Sequence, residues 1–263
     1  MPHLRHPAWQ KLTQSLNIAT PDTQLTPPTD PQHWLIKRWP AWGGTHIFPA
    51  NRCLENQEYY QRRLQGRSAS VLFLANGQRC QIMSFNEQIC RNTSQHDFQL
   101  LAITNQLDLD TAQQRLLTDY CQQLTEALSL RGFCSLDFII DKQGQIHILE
   151  INPRPSASMQ CLPITWPLIQ WHLDACQGQL PSLPALPVCP PQLLYYCFTA
   201  RPIRIPDQFN WPANCHDLPP VGQRIPENHI LCSFLYPVKT SLAALLPYCH
   251  RLATELQIQC LNY

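Results

Sequence analysis

The sequence predicts an α+β protein built from β-hairpins and a few amphipathic helices. Two pairs of strand-like segments are each joined by a short turn, Asn76-Gly77 in the first pair and DKQG at residues 141–144 in the second. Asn-Gly between two such segments is a strong hairpin signal. Between the hairpins, residues 110–130 carry apolar residues at helical spacing. Hairpins interspersed with helices, without regular β-α-β alternation, are typical of an α+β fold.

The first third of the chain reads as one helix followed by strands. Residues 7–17 place Trp9, Leu12 and Leu16 at helical spacing, and a polar, proline-rich connector follows at residues 20–32. A loop containing Gly43-Gly44 follows the first strand. Strands are predicted at residues 33–39, 59–64, 68–75 and 78–85.

The middle of the chain contains the clearest helix, at residues 110–130. Asp110 or Thr111 can cap its start, and Gly132 is expected to end it. Its apolar stripe comprises Leu116, Leu117, Tyr120, Leu124 and Leu128. Strands 133–140 and 145–151 then form the second hairpin.

The composition changes beyond Pro163, since 13 of the 25 prolines fall in residues 163–226. A helix near 164–177 precedes a proline-rich connector, and strands follow around 193–199 and 229–235. Residues 241–257 read as a last helix. This change predicts two parts, residues 1–180 and a β-rich region at residues 181–263.

Composition excludes several classes of function. The 263 residues are 44% hydrophobic and 14% charged, with a formal net charge of +1. Such a balance provides no field for binding nucleic acid or an acidic membrane surface. No apolar run approaches 18 residues, and no signal-peptide pattern opens the chain. The expectation is a soluble cytoplasmic protein with no nucleic-acid partner and no membrane partner.

The thirteen cysteines show no metal-binding or disulfide pattern. No C-x-x-C pair occurs, and the tightest spacing is Cys189 to Cys197. Most lie in apolar contexts such as GFCSL and YYCFT, where a thiol behaves as a small hydrophobe. Reduced, buried thiols are expected, with no structural disulfide and no zinc.

The second hairpin carries the chemistry. If residues 141–144 form a four-residue loop, Ile140 faces Gln145 and Asp137 faces Ile148. Alternation then places Asp137, Glu150 and Asn152 on one face, with Asp137 and Glu150 as diagonal neighbours roughly 7–8 Å apart at the backbone. Such an oxygen cluster suits Mg²⁺ (or Mn²⁺). Phosphate oxygens usually complete the coordination shell of this ion. The opposite, apolar face comprises Leu136, Phe138, Leu149 and Ile151.

Two alternatives remain open at this point. The polar face can be an exposed hairpin surface without function. A register change of one residue would place Asp137 and Glu150 on opposite faces and remove the cluster.

Three segments together resemble the ATP-grasp superfamily, with its carboligase-like members related to biotin carboxylase. They are HWLIKRWPAWGGTHI, YYQRRLQGRSASVLFLANG and GFCSLDFIIDKQGQIHILEINPRPSAS, in the expected order and spacing. The resemblance implies two α+β lobes that grip ATP, followed by a β-rich C-terminal appendage. The α/β domain that usually precedes this fold has no counterpart in the thirty or so residues before the Lys37 strand.

The resemblance also implies individual roles. Lys37 resembles a lysine that contacts ATP phosphates, and Gly43 and Gly44 fall in the loop that folds over them. Gln61 occupies the place of an acidic residue that reads the adenine amino group. The remaining implied contacts are the backbone of Arg62 to Leu64 for adenine, Asp137, Glu150 and Asn152 for Mg²⁺, and Arg154 for the reacting anion. Read without the resemblance, Lys37 can simply extend from its strand to solvent, and Gly43-Gly44 can be an ordinary turn.

The implied reaction is ATP-dependent joining of a carboxylate to an amine, with Lys37 and Arg154 as catalytic groups. Pro155, Ser156, Ala157 and Ser158 stand where biotin-type carboxylases carry valine, a glutamate base and histidine, which argues against biotin carboxylation. The members of the superfamily that this sequence resembles look like ligases of one-carbon cofactor pathways. The alternative is a nucleotide-binding subunit that needs a partner for activity, and either a homodimer or a partner protein supplying the N-terminal domain is compatible with the sequence.

Overall fold

The computed structural model describes residues 6–38, 46–91 and 98–261, in which four α-helices and fourteen β-strands form. The helices are α1 (His6–Ser15), α2 (Thr111–Leu128), α3 (Leu168–Cys176) and α4 (Leu242–Leu261). The strands are β1 (Thr23–Gln24), β2 (Trp34–Arg38), β3 (Ile47–Pro49), β4 (Glu58–Arg62), β5 (Gly66–Asn76), β6 (Cys80–Arg91), β7 (Gln99–Thr104), β8 (Arg131–Asp141), β9 (Ile146–Asn152), β10 (Gln192–Phe198), β11 (Ile203–Arg204), β12 (Cys215–His216), β13 (Arg224–Ile225) and β14 (Ile230–Pro237). The predicted α+β class is confirmed.

A small antiparallel sheet with the strand order β1-β4-β2-β3 forms the first lobe. Its strands alternate in the usual way, so that one face packs Trp34, Ile36 and Tyr60 into a core of their own. Lys37 and Gln61 belong to the opposite face, because Lys37 pairs with Tyr59 and Leu35 pairs with Gln61 across β2 and β4.

A large antiparallel sheet contains eight strands in the order β12-β14-β10-β7-β6-β5-β8-β9, and β11 and β13 form a separate two-stranded sheet. The two predicted hairpins, β5–β6 and β8–β9, are neighbours in one half of the large sheet, with β9 as its edge strand. One face of the central strands, with Val71 and Phe73 of β5, packs against α1 and α2 in the largest core. The other face, with Leu72 and Leu74, packs against α3. Both faces of the hairpins are therefore covered where they are apolar.

Helix α2 confirms the helix predicted at residues 110–130, although its end differs and Leu116 of the predicted apolar stripe is exposed. Asp110 forms a capping box with Gln113, and Leu117, Tyr120 and Leu124 are buried. The helix ends at Leu128, because Ser129 adopts the left-handed conformation at φ 50°. The expected terminator, Gly132, lies in β8 instead.

Sequence reasoning missed strand β7 and shortened β6, which it ended at residue 85. Strand β7 is the link to the C-terminal region, since β10 pairs with it from Leu193↔Thr104 to Tyr195↔Ala102. The large sheet thus continues across residue 180, the proposed boundary in the sequence. Helix α4 covers a separate core on the C-terminal strands.

Among the described helices, none combines the length and apolarity needed to cross a membrane.

Candidate functional site

The second hairpin reaches the predicted arrangement by a different register. The amide of Asp141 donates to the carbonyl of Gln145 at 2.9 Å, so the loop has three residues and Ile140 pairs with Ile146 rather than with Gln145. That shift alone would place Glu150 on the face opposite Asp137, which is the outcome expected for a register change of one residue.

A β-bulge restores the polar face. The register shifts between Asp137 and Phe138, so that Phe138 pairs with Ile148 while Asp137 pairs with Glu150. Leu149 is the extra residue between these two pairs. Asp137 and Glu150 are therefore directly opposite each other and not diagonal as predicted.

The bulge also corrects the apolar face of the hairpin. Ile148, expected beside the carboxylates, is fully buried with Leu136 and Phe138 in the core under α2. Leu149, expected in that core, is only half-buried. Ile148 takes the structural role that sequence reasoning gave to Leu149.

The three predicted metal ligands lie together. Asn152 Nδ2 donates to Asp137 Oδ2 at 3.1 Å and to Glu150 Oε1 at 3.2 Å. The two carboxylates supply hard oxygen donors, while the Asn152 amide turns its nitrogen toward them and its Oδ1 toward Arg154. Once that amide rotates by 180°, its oxygen joins the carboxylates in a set that fits Mg²⁺, with phosphate and water oxygens completing the shell. Within the described ranges, no group of three or more His, Cys, Asp or Glu residues suits a metal ion. The fit therefore requires the Asn152 amide and oxygen atoms from a ligand.

The electrostatics of this pair favour a cation. Burial, followed by the charge and the hydrogen bond of Glu150, raises the pKa of Asp137 to about 8. The charge of Arg154 and a hydrogen bond from Gln88 act in the opposite direction. Two carboxylates this close are unfavourable when both are ionised, and a divalent cation would relieve their repulsion.

Arg154 lies at the edge of the cluster and is exposed. Its Nη2 donates to Asn152 Oδ1 at 3.3 Å, and its Nη1 donates to the carbonyl of Pro155 at 3.2 Å. The guanidinium is thus linked to the carboxylates through the amide of Asn152, with exposed surface left for an anion.

Lys37 belongs to the small sheet and approaches these carboxylates from the other lobe. Lys37 is only 8% exposed, and burial lowers its pKa while the charges of Glu150 and Asp137 oppose that shift. It makes no ion pair within 4.0 Å in the part of the chain that the structure describes. Tyr59, its cross-strand partner, is also near Glu150, since burial and the Glu150 charge raise the pKa of this phenol.

Gln61 lies farther along the same face of the small sheet and is 5% exposed. Its side-chain amide has no hydrogen bond to any described residue. Gly43 and Gly44 lie outside the described residues, so the expectation for the loop that they form stays a prediction.

The backbone N–H of Arg62 is not free for the adenine contact that the resemblance implies. Its N–H donates to the carbonyl of Asp22 at 2.8 Å, and its guanidinium pairs with Asp30 at 3.1 Å. The N–H is therefore already engaged. Leu64 follows the strand and is half-buried.

Sequence reasoning missed Gln88 and Tyr59. Gln88 Nε2 donates to Asp137 Oδ1 at 3.3 Å from strand β6, which had been predicted to stop before it. The alternation Ser84, Asn86, Gln88 was the available signal. Tyr59 could have been found by pairing its strand with that of Lys37.

One cavity lies beside the small sheet and another beside the β11–β13 pair. A cavity of about 280 Å³ lies at the end of the small sheet beside the Gln61 strand, lined by Pro31, Gln32, Trp34, Leu35, Pro49, Ala50, Asn51 and Arg63. Another, of about 420 Å³, lies against β11 and β13, away from the hairpin.

Comparisons with known proteins bear on the family and the fold. The family described as an ATP-grasp domain matches residues 8–158. An N5-carboxyaminoimidazole ribonucleotide synthetase from Thermotoga maritima superposes with a TM-score of 0.68 at 12% identity, covering 94% of this chain and 70% of that one. A biotin carboxylase from Campylobacter jejuni, solved as a β-γ-ATP complex, gives 0.69 at 13% identity over 93% of this chain and 65% of that one.

An N5-carboxyaminoimidazole synthase from Aspergillus clavatus, in complex with ADP and 5-aminoimidazole ribonucleotide, gives a TM-score of 0.70 at 11% identity. It covers 96% of this chain and 73% of its own. This chain thus spans between 65% and 73% of the length of these three proteins. Identities this low carry the fold alone.

Proposed function

Because the chain belongs to the ATP-grasp domain family, we propose that it is an ATP- and Mg²⁺-dependent ligase that joins a carboxylate to an amine. The observation that carries the proposal is the approach of the two sheets. A buried lysine without an ion-pair partner among the described residues lies within electrostatic reach of two paired carboxylates on the other lobe. A buried cation and an unneutralised carboxylate pair are costly, and a metal–phosphate group between them would satisfy both.

The nucleotide would lie along the face of the small sheet. Lys37 would meet the phosphates and Gln61 the adenine amino group, because the two side chains share one face and both are buried without partners among the described residues. The carbonyl of Arg62 and the backbone of Leu64 are the proposed adenine-edge contacts. Gly43 and Gly44 are proposed to cover the phosphates with backbone amides.

Asp137, Glu150 and Asn152 would hold the Mg²⁺ ion (or Mn²⁺). When bound, this ion supplies positive charge that offsets the charge developing during phosphoryl transfer. Lys37 adds a second positive charge, and Arg154 steadies the reacting carboxylate at the edge of the cluster.

The bond changes of the proposed reaction balance in two steps. A carboxylate oxygen attacks the γ-phosphorus, and the bond between that phosphorus and the β–γ bridging oxygen breaks. The products of this step are an acyl phosphate, which stays bound, and ADP. An amine nitrogen then attacks the acyl carbon, loses a proton, and displaces inorganic phosphate. The proposed setting, one-carbon cofactor assembly, rests only on the resemblance of the sequence to such ligases.

The test is release of ADP and phosphate when the protein is incubated with Mg-ATP and pooled carboxylates and amines. Glu150→Gln keeps the shape of the side chain but removes one charge from the carboxylate pair. We expect ATP to remain bound, while turnover falls by about two orders of magnitude or more.

Glu126→Gln provides the matched control, since it removes the same charge from an exposed position on α2. It should turn over ATP like the wild type. Normal turnover by Glu150→Gln would contradict the metal role. Binding of ATP without turnover in any mixture would favour the alternative of a nucleotide-binding subunit.

A further inference from the structure

Gln88 reaches the carboxylate cluster from two strands away. It directly follows the Ala69↔Glu87 pair of β5 and β6 and is hydrogen-bonded to Ser68, and Asp137 lies opposite Ser70 on the far side of β5. A contact between β6 and β8 has to pass over β5, since neighbouring strands are about 4.8 Å apart. Gln88 Nε2 nevertheless comes within 3.3 Å of Asp137 Oδ1.

Two small residues make this reach possible. Ser68 and Ser70 occupy the positions of β5 over which the Gln88 side chain passes, and neither rises far above the sheet. Ser68 also holds the amide in place, because its Oγ donates to Gln88 Oε1 at 2.9 Å. With its oxygen occupied by a donor, the Gln88 amide must turn its N–H groups toward Asp137.

The carboxylate of Asp137 is therefore held from both sides. Gln88 donates to Oδ1 from β6, and Asn152 donates to Oδ2 from β9. Gln88 belongs to no expected ligand set, since an amide N–H cannot bind a cation and its oxygen already accepts from Ser68. Its geometric effect is to keep Oδ1 toward β6 and Oδ2 toward Glu150.

We propose that Gln88 is a positioning residue, which with Ser68 fixes the rotamer of Asp137 so that Oδ2 faces Glu150 and the two carboxylates can share one divalent cation. This inference rests on the proposed function, because it assumes that the pair binds a metal with nucleotide. Groups that hold metal ligands by hydrogen bonds commonly change metal affinity by about 10- to 100-fold when they are replaced.

The experiment measures metal and nucleotide separately, using Mn²⁺ as the probe. Mn²⁺ affinity is determined by electron paramagnetic resonance with a saturating β,γ-imido analogue of ATP, and affinity for the metal-free analogue is determined by calorimetry in chelator. Gln88→Met preserves the length of the side chain without the donor. We expect about tenfold weaker Mn²⁺ binding or more, with metal-free nucleotide affinity unchanged.

Two further variants make the result decisive. Ser68→Ala removes the hydroxyl that orients Gln88 and should weaken Mn²⁺ binding in the same direction, by less. Gln81→Met removes another β6 glutamine, whose amide bonds to the carbonyls of Pro184 and Ala185, and should leave Mn²⁺ binding unchanged.

Wild-type Mn²⁺ affinity in Gln88→Met would overturn the inference, as would an equal loss of metal-free nucleotide affinity, which is the mark of a structural role. If Gln88→Met does not fold, Ser68→Ala decides, and unchanged Mn²⁺ binding there overturns the inference. A wild type that binds no nucleotide would overturn the proposed function itself. The failures of the two proposals are thereby distinguished.

Discussion

Lys37 combines deep burial with the absence of a close counter-ion in the described ranges. Its charge is balanced only at a distance by Glu150 and Asp137, and burial lowers its pKa. A buried, unpaired cation costs several kcal/mol, which is a large share of the stability of a typical protein. Such a group is retained when a ligand supplies the missing negative charge. Stability and binding should therefore respond oppositely to its removal.

Lys37→Met tests this directly, since methionine keeps the apolar stem and removes the charge. We expect the variant to be at least as stable as the wild type toward heat, with ATP affinity reduced about tenfold to a hundredfold by the loss of a charge-assisted contact. Calorimetry of ATP binding and thermal unfolding measure the two effects. Lys142→Met, at an exposed position in the turn of the second hairpin, is the matched control. Unchanged ATP affinity in a folded Lys37→Met would exclude the phosphate role.

The sequence identified those site residues whose partners lie nearby along the chain. Asp137, Glu150 and Asn152 follow from alternation along two strands joined by a short turn. Gln88 acts across an intervening strand, and Tyr59 acts across two sheets, so neither relationship has a fixed spacing in the sequence. Local patterns therefore located the carboxylates and missed the side chains that hold and surround them.

The second hairpin shows how a correct face can follow from an incorrect register. The loop was predicted one residue too long, and the bulge at Leu149 shifts the pairing by one residue in the compensating direction. Bulges have no reliable sequence signature, so alternation alone assigned Ile148 and Leu149 to the wrong faces. Glu150 and Asn152 kept their places because they follow the bulge.

Strands β2 and β4 are held together at the Lys37 end by a buried carboxylate. The side chain of Glu58 has no exposed surface and accepts from both terminal nitrogens of Arg52, at 2.7 and 2.8 Å. Arg38, which directly follows Lys37, donates to the same carboxylate at 3.0 Å. These bonds fix the strand end from which Lys37 projects.

Glu58 should make the stability of the protein depend on pH in acid. Hydrogen bonds from Arg52 above all, with contributions from the Glu55 amide and Arg38, lower its pKa from 4.5 to about 2. Its stabilisation is therefore fully present above about pH 4.5 and is lost as pH falls toward 2, by about 3 kcal/mol in all. Urea unfolding of the wild type and Glu58→Gln from pH 7 to pH 2.5 checks this.

We expect the difference between those two proteins to be largest at neutral pH and to shrink below pH 4.5. Asp141→Asn provides a comparison, since Asp141 is paired with His147 in the other sheet. A difference between wild type and Glu58→Gln that stays constant over the whole range would show that Glu58 titrates as it does in the unfolded chain.

The C-terminal region is joined to the ATP-grasp lobes by a continuous sheet. Prolines in the sequence suggested a division at residue 180, yet β10 pairs with β7, and β14 and β12 extend the same sheet. The pairing joins residues about ninety positions apart, and no local pattern specifies it. What could be predicted was the existence of strands near 193–199 and 229–235, and not their neighbours.

Thirteen cysteines provide native reporters of whether this sheet unfolds as one unit. All thirteen are free thiols, eight of them buried. Five of the buried thiols line the core beneath α4, namely Cys197, Cys215, Cys232, Cys249 and Cys260. Cys121 and Cys134 lie in the core that includes α2, and Cys161 packs against Ile103 of β7 and Leu194 of β10.

We expect the eight buried thiols to become reactive toward a thiol reagent in a single urea transition, coincident with loss of far-ultraviolet circular dichroism, because the two cores share strands of one sheet. Only Cys53, Cys90 and Cys176 are exposed in the native state and open to rapid reaction. Denatured protein prepared without reductant should yield thirteen thiols, and elemental analysis should find no zinc. If the five thiols beneath α4 reacted at lower urea than the rest, the C-terminal region would be an independent folding unit, and the shared sheet would not couple the two cores.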